Sequence, residues 1–342
     1  MKIYDIVIIG GDAAGMSAAS QARRINSGLS ILVLEKGPHV SYAACGMPYY
    51  IADEVKESES LIAIDVNDFI TRRNIDIRMD TEVVAVDFSE KTVTARSDGE
   101  TIRVSYKTLV IATGAAPFVP PITGIDAPGI FFLRNLAQGI QIKEFLDERN
   151  PRSGIIIGGG FIGLEMAEAL RKKSIDVTII EKFSSVAMTM SPEIREIITR
   201  TLLHNRVDIR ASSTIRKIEK AGDHLAVTAD EDVHVADFVI ASVGIVPATG
   251  FLKGSGILMN DRGAIIVDEK SRTNIPDVFA AGDCATVKNI ITGTDVYFPL
   301  GTTANKQGRV AGLQAAGVSD EIFRGSAGSQ LVKVFDLEVG KT

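Results

Sequence analysis

The sequence has few of the residues that build disulfide frameworks and metal centres. Its 342 residues include only two cysteines, four histidines and no tryptophan. The cysteines, Cys45 and Cys284, stand far apart, so neither a disulfide scaffold nor a cysteine-rich metal site is expected. This scarcity is typical of proteins that work in a reducing compartment, and we expect a cytoplasmic chain with no bound metal.

Other absences narrow the class further. The chain enters an apolar run, IYDIVIIGG, almost at once, so no signal peptide is predicted. No apolar run approaches the roughly 18 residues that would cross a bilayer. With 37 basic and 43 acidic residues the formal net charge is -6. This charge gives no reason to expect nucleic acid or an anionic membrane as a partner.

Glycine, by contrast, is abundant, and two glycine-rich stretches have the same plan. DIVIIGGDAAGMSAASQARR is followed by ILVLEK, and SGIIIGGGFIGLEMAEALRKK is followed by VTIIEK. Each reads as a strand, a tight turn, a helix of small residues and a second strand that ends in an acid, Glu35 or Glu181. Such a unit binds a dinucleotide, because the glycines admit the pyrophosphate at the helix N-terminus and the acid accepts the ribose hydroxyls. The duplication therefore predicts two dinucleotide sites.

The two copies differ at one position of the turn. The second copy is complete, with Gly158, Gly160 and Gly163. The first has Asp12 where the middle glycine belongs. A carboxylate there would repel a pyrophosphate unless its side chain points away, so the structure must show where Asp12 is directed.

Two further segments fit a first domain that is interrupted and resumed. KTLVIATGAAP ends an apolar strand at Ala112-Thr113-Gly114, and TNIPDVFAAGDCA places Gly282-Asp283 after another strand. We expect the chain to leave the first domain near residue 116 and to return near 247. An aspartate such as Asp283 can also cap a helix, and that alternative stays open.

The segment SYAACGMPYY poses the question of what Cys45 does. A free cysteine is more often a buried small hydrophobe than a reactive group. Pro48, however, suits the first turn of a helix, which would place the sulfur at or just before a helix N-terminus, where the pKa of a thiol is lowered. Cys284, inside AAGDCA, is expected to be a small buried residue.

Taken in order, these motifs resemble those of the FAD- and NAD(P)H-dependent pyridine nucleotide–disulfide reductases. The motifs are GGDAAG with Glu35, the cysteine segment, ATG, GGGFIG with Glu181, AAGD, and PLGTTANKQGR at 299–309. The resemblance implies an α/β fold of two doubly wound Rossmann-like domains. The FAD domain would be discontinuous, 1–116 and 247–322, with the NAD(P)H domain at 117–246 and the first strand of a C-terminal dimerisation domain at 323–342.

The resemblance also implies the residues at each cofactor. Those at FAD would be Gly10, Gly11, Ala13, Ala14, Gly15, Glu35, Lys36, Val83, Ala112, Thr113, Gly114, Gly282, Asp283, Thr303 and Ala304. Those at NAD(P)H would be Gly158, Gly160, Phe161, Ile162, Gly163, Glu165, Glu181, Lys182 and Gly244. Phe161 would shield the flavin until the nicotinamide arrives, and Glu165 would lie near that ring. Glu181 favours NADH because a 2′-phosphate would meet its carboxylate, while Lys182 leaves NADPH open.

Within this family Cys45 would act without a second cysteine. Dithiol members carry another cysteine five positions later, where this chain has Tyr50. Single-cysteine relatives either form a mixed disulfide, as in coenzyme A–disulfide reductases and persulfide reductases, or a sulfenic acid, as in NADH oxidases and peroxidases. The oxidase branch has a histidine in the first glycine-rich turn, where this chain has Ala13, so we expect the mixed-disulfide route.

The segments GMSAASQARR and SYAACGMPYY resemble those of coenzyme A–disulfide reductases. By this resemblance Ser17, Gln21, Arg24, Ser41 and Asn305 would contact coenzyme A. Arg24 suits a phosphate chemically, although Arg23 and Arg24 can equally form a solvated helix end. The residue before the cysteine, Ala44, departs from the polar residue of some relatives, which puts the choice of substrate in doubt.

The end of the sequence leads to further expectations. Relatives carry a C-terminal domain that forms a homodimer and supplies a proton donor, and here most of that domain is missing. We therefore expect weak dimerisation, low turnover, and an unpaired strand whose apolar residues Leu331, Val332, Val334 and Phe335 lack partners. The rival from another class is a non-catalytic redox sensor that binds flavin and coenzyme A and reports oxidation through Cys45.

Overall fold

The structure, a computed structural model, describes residues 2–318 and 320–342. The helices are α1 (Ala13–Ile25), α2 (Met47–Ile51), α3 (Leu136–Arg149), α4 (Phe161–Lys172), α5 (Pro192–His204) and α6 (Gly301–Ala315). Short 3₁₀ turns lie at Ala44–Gly46, Ser58–Leu61 and Gly250–Leu252, and a π-helical turn at Asp68–Arg72. None of the described helices has the length and apolarity needed to cross a bilayer.

The strands, in chain order, are β1 (Ile3–Ile9), β2 (Ile31–Leu34), β3 (Asp76–Arg78), β4 (Thr81–Asp87), β5 (Thr92–Ser97), β6 (Glu100–Ile111), β7 (Ala115–Pro117), β8 (Ile130–Phe132), β9 (Ser153–Ile157), β10 (Asp176–Ile180), β11 (Val207–Arg210), β12 (Ile215–Ala221), β13 (His224–Ala229), β14 (Asp232–Ala236), β15 (Phe238–Ala241), β16 (Ile245–Pro247), β17 (Val278–Ala280), β18 (Val287–Lys288), β19 (Asp295–Val296), β20 (Gln330–Val334) and β21 (Leu337–Lys341). The chain divides into two compact units. Unit 1 comprises the described parts of 1–42, 62–116 and 246–328, and unit 2 comprises 43–61, 117–245 and 329–342.

Unit 1 is built on a mostly parallel sheet. Strands β3, β2, β1 and β6 are parallel neighbours in that order, and β17 also pairs with β6 in parallel. Strand β5 extends the sheet by antiparallel pairing with β6, and β4 pairs in turn with β5, also antiparallel. Ile9 is aligned with Leu34 on one side and with Ile111 on the other, and Ala280 is aligned with Ile111. The carboxyl ends of β1, β2, β6 and β17 therefore meet at one edge, where ligands of such sheets bind.

Helices α1 and α6 cover one face of this sheet and pack closely on each other. Ala18 of α1 and Ala311 of α6 are fully buried there beside Ile8 and Val110. A Cβ atom at Gly312 would lie 2.2 Å from the carbonyl oxygen of Ala18. The small residues of the GMSAAS segment are thus explained by a backbone-to-backbone contact that brings the start of α6 to the edge of the sheet.

Unit 2 repeats the parallel arrangement with a second sheet. Its strands run in the order β11, β10, β9, β15 and β8, all parallel. Ile157 is aligned with Ile180 and with Ala241, so the ends of β9, β10 and β15 meet at one edge. Strands β12, β13 and β14 form a separate antiparallel sheet. The prediction of two doubly wound α/β units from the duplicated motif is confirmed.

One short segment belongs to a different unit from the one that the sequence suggested. The chain changes unit after Ala116 and after Ile245, and residues 43–61, which lie within the 1–116 span expected for the FAD domain, group with unit 2. The reason is packing, because α2 lies against α3 and α4. Met47 of α2 fits over Gly139 of α3, where a Cβ atom would come within 3.2 Å of the Met47 sulfur. The cysteine segment is therefore carried by unit 2.

The predicted unpaired strand near residue 331 is wrong. Strand β20 pairs with β21 in an antiparallel hairpin, and residues 329–342 group with unit 2. Val332, Val334 and Val339 are buried. Of the four apolar residues expected to lack partners, Leu331 is the one that is largely exposed, at 74%. The turn was not foreseen because Phe335 occupies it with φ +54°, a conformation usually left to glycine or asparagine.

Candidate functional site

In unit 1 the first glycine-rich turn joins β1 to α1 by close backbone approach. Gly10 has φ +102°, and a Cβ atom there would lie 2.2 Å from the carbonyl oxygen of Ala112. A Cβ atom at Gly15 would lie 1.8 Å from the carbonyl oxygen of Gly10. Neither position admits a side chain unless the backbone moves, so the helix can begin directly at the end of the strand. The predicted strand, turn and helix are confirmed.

Asp12 stands where the motif has its middle glycine. Its side chain points to the backbone at Tyr42, near the start of the cysteine segment. Its Oδ1 accepts a hydrogen bond from the Tyr42 N–H at 3.1 Å, and it makes no capping hydrogen bond to α1. A pyrophosphate can bind at this turn only if the Asp12 carboxylate is directed elsewhere, and its hydrogen bond to the Tyr42 N–H meets that requirement.

The two acidic residues that end the second strands play the same structural part in both units. Glu35 accepts hydrogen bonds from the N–H groups of Gly11 (2.6 Å) and Gly37 (2.8 Å). Glu181 accepts from Gly159 (2.6 Å) and Phe183 (2.8 Å). Burial raises the pKa of the Glu35 carboxyl above its ordinary value, against the opposing effect of those amides. Each acid therefore closes its glycine turn as well as offering oxygen lone pairs to a ribose.

The remaining predicted flavin residues of unit 1 gather at the same edge of the sheet. Ala112, Thr113 and Gly114 follow β6, while Gly282 and Asp283 follow β17 in a turn. No helix begins at Asp283, so its alternative role as a helix cap is wrong. Ala13 and Ala14 open α1, and Thr303 and Ala304, both buried, lie in the first turn of α6.

Two of the predicted flavin residues have other contacts in unit 1. Lys36 forms an ion pair with Glu82 at 2.8 Å, and both side chains are largely exposed. Val83 of β4 is buried in the core cluster with Tyr106 and Leu109. Lys36 lies two residues after β2 and Val83 lies on β4, and both contacts leave a role at a cofactor open.

Sequence reasoning missed Gln307, although the PLGTTANKQGR segment contains it. Gln307 is almost fully buried; its Oε1 accepts the Gly282 N–H at 2.9 Å, and its Nε2 donates to the Thr286 carbonyl oxygen at 2.9 Å. Because this one amide fixes both sides of the Gly282 turn, it is a positioning residue for that turn. A glutamine on a predicted helix gives no such signal without the fold.

The edge of unit 1 fits a flavin dinucleotide. Small residues converge there, since a Cβ atom at Gly282 would lie 2.9 Å from the Ala14 Cβ and 3.3 Å from the Ala304 Cβ. The Thr113 hydroxyl is shielded from solvent and makes no hydrogen bond of normal geometry within the described chain. A buried hydroxyl of this kind is offered to a ligand. FAD would be held by the Gly10–Gly15 turn, Glu35, the Gly282 turn and the start of α6, all in unit 1.

In unit 2 the corresponding edge is more open. Gly158 has φ +99°, and a Cβ atom at Gly163 would lie 2.2 Å from the Gly158 carbonyl oxygen, as in the first copy. Gly160 and Gly244 have open space where a Cβ would stand. Ile162 is 37% exposed, Phe161 is half-buried and Lys182 is exposed. This edge fits a nicotinamide dinucleotide that lies across the N-terminus of α4.

Glu165, on the second turn of α4, is the most strongly perturbed acid at this edge. Burial, reinforced by the nearby Glu168 carboxylate, raises its pKa to about 7. Glu168 is itself buried and accepts hydrogen bonds from Lys172 Nζ (2.6 Å) and the Phe335 N–H (2.6 Å). Glu165 can therefore hold or release a proton near neutral pH, in the place where the nicotinamide is expected.

Replacing Glu165 by glutamine should stabilise the protein at alkaline pH. The folded-state pKa lies above the ordinary value, so ionisation costs stability as pH rises from about 4.5 through 7. The full cost, on the order of 3 kcal/mol, is present above pH 7 and absent below about pH 4.5. Urea midpoints of Glu165→Gln and wild type should coincide at pH 4.5 and separate at pH 8. An equal effect at both pH values, or the same effect from the exposed control Glu196→Gln, would contradict this.

The two cysteines lie in opposite environments. Cys45 is exposed in the turn Ala44–Gly46, directly before α2, which has Pro48 in its first turn as predicted. Cys284 is fully buried in unit 1; its Sγ donates to the carbonyl oxygens of Ala281 (3.3 Å) and Ile111 (3.4 Å), and burial raises the pKa of its thiol. The interpretation of Cys45 as a core residue is therefore wrong, and the expectation that Cys284 is buried is confirmed.

Three of the five residues predicted to contact coenzyme A share one face of α1. Ser17, Gln21 and Arg24 follow at helical spacing, with the first two half-buried and Arg24 exposed. Ser41 adopts φ +54°, donates its N–H to the Gly11 carbonyl oxygen and accepts from the Ala63 N–H. Asn305, half-buried, is on the second turn of α6.

The two arginines at the end of α1 differ. Arg23 binds the carbonyl oxygens of Arg73 (2.8 Å), Asn74 (2.6 Å) and Ser27 (2.5 Å). This residue is therefore a clamp between α1 and the loop before β3, whereas Arg24 is the exposed cation of the pair. Among the described residues no cluster of histidine, cysteine and acids has the composition of a metal site.

Two parallel-sheet units, each with a glycine-rich turn closed by an acid at the end of its second strand, have the plan of proteins that bind two dinucleotides. A family model described as pyridine nucleotide-disulphide oxidoreductase matches residues 4–308. The chain therefore belongs to the pyridine nucleotide-disulphide oxidoreductase family, whose name implies FAD and NAD(P)H as cofactors.

Similar proteins carry different names. A protein named NADH oxidase from Methanocaldococcus jannaschii is 35% identical over 338 residues, 98% of this chain and 75% of that protein. A CoA-dependent NAD(P)H sulfur oxidoreductase from Pyrococcus furiosus is 37% identical over 343 residues, 100% of this chain and 76% of that protein. A solved structure described as reduced Bacillus anthracis CoADR-RHD has a TM-score of 0.94 at 35% identity, over 99% of this chain and 61% of that one. The chain thus spans only part of each relative.

Proposed function

We propose that the chain belongs to a flavoprotein that passes electrons from NAD(P)H through FAD to Cys45, which reduces coenzyme A disulfide or a coenzyme A persulfide. The observation that carries the proposal is the contrast between an exposed Cys45 at the start of α2 and a buried Cys284. FAD, when bound, accepts a hydride from NAD(P)H and returns two electrons to a thiol–disulfide pair. The two units would hold the two cofactors, with FAD in unit 1 and NAD(P)H in unit 2.

The chemistry at Cys45 is thiol–disulfide exchange. Its thiolate attacks one sulfur of the substrate, the substrate S–S bond breaks, and one coenzyme A leaves as a thiolate that takes up a proton. A mixed disulfide between Cys45 and the second coenzyme A remains, and two electrons cleave it to release that coenzyme A and restore the thiolate. Since α2 has only five residues, its dipole stabilises the thiolate less than the dipole of a long helix would. The main feature that suits Cys45 to react is its exposure, which lets a substrate reach the sulfur.

Coenzyme A recognition is assigned to the polar face of α1. Arg24 is exposed and free to face a phosphate, whereas the neighbouring Arg23 is occupied by three carbonyl oxygens. Ser17 and Gln21 on the same face, together with Ser41 and Asn305, would add hydrogen bonds. Arg23 thus has a structural role, and Arg24 is left available for a ligand. This difference supports phosphate binding by Arg24 over the interpretation of both arginines as a solvated helix end.

NADH is the proposed electron donor. Glu181 is buried and both of its oxygens are held by backbone amides, so it cannot swing aside for a 2′-phosphate. The exposed Lys182 only partly offsets that charge. The ratio of kcat/KM for NADH to that for NADPH should exceed about tenfold, and a ratio of one would contradict the preference.

The alternative function is an oxidase that cycles Cys45 through a sulfenic acid. The name of the Methanocaldococcus jannaschii relative favours it. Against it, the first glycine-rich turn has Ala13 where oxidases of the family carry a histidine. No group within that turn would then stabilise a sulfenate.

Mass spectrometry of Cys45 separates these functions. Protein purified without thiols, then mixed with coenzyme A disulfide, should carry one coenzyme A adduct on the peptide that contains residues 41–50. The Cys284 peptide of the same sample should stay unmodified because that sulfur is buried. A sulfenic or sulfinic acid on Cys45 would support the oxidase instead, and an unmodified Cys45 thiol would contradict disulfide reduction.

A further inference from the structure

A cluster of lysines and acids that the mechanism does not use lies behind the cysteine segment in unit 2. Asp53, just after α2, binds Lys143 of α3 through Oδ1 at 2.9 Å and Lys173 through Oδ2 at 2.6 Å. Lys173 also binds Asp147 at 3.0 Å, and Lys143 forms an ion pair with the same Asp147. The four side chains form a closed ring of alternating charge.

The ring is anchored by two lysines that water hardly reaches. The side chains of Lys143 and Lys173 are only 12% and 14% exposed, whereas lysine is mostly exposed in proteins. Hydrogen bonds to Asp147 and Asp53 outweigh the opposing effect of burial and raise the pKa of Lys143 to about 12, and Lys173 with Lys143 lowers the pKa of Asp53 to about 2. Each lysine therefore has two acidic partners, and removing one member of the ring takes a partner from both of its neighbours.

A second link runs from the same segment to the C-terminal hairpin. Glu54, next to Asp53, forms an ion pair with Lys172, which also binds Glu168. The other oxygen of Glu168 accepts the Phe335 N–H. Thus Lys172, the last residue of α4, and Lys173, directly after it, contact both added segments of unit 2.

Cys45 and Asp53 are joined by an almost continuous run of backbone hydrogen bonds. The Gly46 N–H donates to Ala43, the Ala52 N–H to Pro48, and the Glu54 N–H to Tyr49. Asp53 itself adopts φ +64° and ends the run, a conformation that aspartate tolerates. Cys45 therefore lies in the first turn of a short hydrogen-bonded segment, and the charged ring contacts the last turn of that segment through Asp53.

We propose that Asp53, with Lys143 and Lys173, is a positioning residue that fixes the orientation of Cys45 for the disulfide step. The inference rests on the proposed function of Cys45. It does not require the ring to touch substrate or cofactor, and it explains why two lysines are buried at the far end of a five-residue helix.

The test uses the flavin-loaded protein and compares Asp53→Asn and Lys173→Met with wild type. Hydrogen exchange of peptides within 43–61 should accelerate at least about tenfold in both variants. Flavin reduction by NADH should stay within twofold, while reoxidation by coenzyme A disulfide should slow at least about tenfold. Asp53→Glu, which keeps the charge, should restore more than half of the second rate.

The matched control is Glu196→Gln, which removes an exposed ion pair with Arg200 on α5 and should change none of these rates. Unchanged exchange in 43–61 would overturn the docking role, and faster exchange with a normal reoxidation rate would overturn the positioning role. If wild type itself is not reoxidised by the disulfide, the proposed function fails, while the exchange data still decide whether the ring holds the segment.

Discussion

Replacing Cys45 by serine should lower kcat/KM for coenzyme A disulfide by at least about 1000-fold, since removal of a nucleophile leaves only binding and residual effects. A serine hydroxyl does not attack a disulfide sulfur and cannot form the mixed disulfide. The change is small and the site is exposed, so the fold should be kept. Flavin reduction by NADH, which depends on the turn of unit 2, should stay within twofold in a stopped-flow measurement.

Cys284→Ala is the matched control for this prediction. The Cys284 sulfur is buried and makes long hydrogen bonds to two carbonyl oxygens, so its loss should cost about 1–2 kcal/mol of stability. The disulfide reductase rate per bound flavin should change less than about threefold, because a buried core residue does not act as the nucleophile. Appreciable turnover by Cys45→Ser, or equal losses from the two variants, would remove Cys45 from its proposed role.

Local patterns predicted the architecture because the duplicated unit encodes its own geometry. A buried strand, glycines at the turn, a helix of small residues and a terminal acid are all fixed within about 25 residues of chain. The structure adds that Glu35 and Glu181 hold the turn amides of Gly11 and Gly159. This second role explains the acid in each copy whatever nucleotide is bound.

What the sequence did not predict depends on contacts between distant residues. The ring of Asp53, Lys143, Asp147 and Lys173 joins three segments, and each residue alone reads as a surface charge. Gln307 is likewise an ordinary helix residue until the fold places Gly282 against it. Burial of a lysine or glutamine is set by tertiary packing, so no local propensity reports it.

The element that covers the C-terminal hairpin also could not be predicted from local sequence. Val332 and Val334 alternate as in any half-buried strand, but this pattern does not indicate which surface covers them. The answer is α4 and α5 of unit 2, with the Phe335 N–H bound to Glu168. Alternation predicts a strand and its buried face, but the identity of the covering element requires the fold.

The second large effect concerns Gly15, and it tests which unit holds which cofactor. A Cβ atom at Gly15 would lie 1.8 Å from the Gly10 carbonyl oxygen, and both atoms belong to backbone that has no flexible side chain to yield. Gly15→Ala should therefore force α1 away from the turn, at a cost of about 3 kcal/mol or more. We expect protein that binds less than a tenth of the wild-type FAD, measured as flavin absorbance per chain.

Gly163→Ala makes the same intrusion in unit 2, where the Cβ atom would lie 2.2 Å from the Gly158 carbonyl oxygen. This variant should keep its flavin and lose affinity for NADH. Gly250→Ala, where nothing lies within 4 Å of the added carbon, should match wild type in both properties. If Gly163→Ala were the variant that lost flavin, the two cofactors would be assigned to the wrong units. If Gly15→Ala kept both its flavin and its urea midpoint, the turn would be able to relax, and a close backbone approach could no longer explain the glycine.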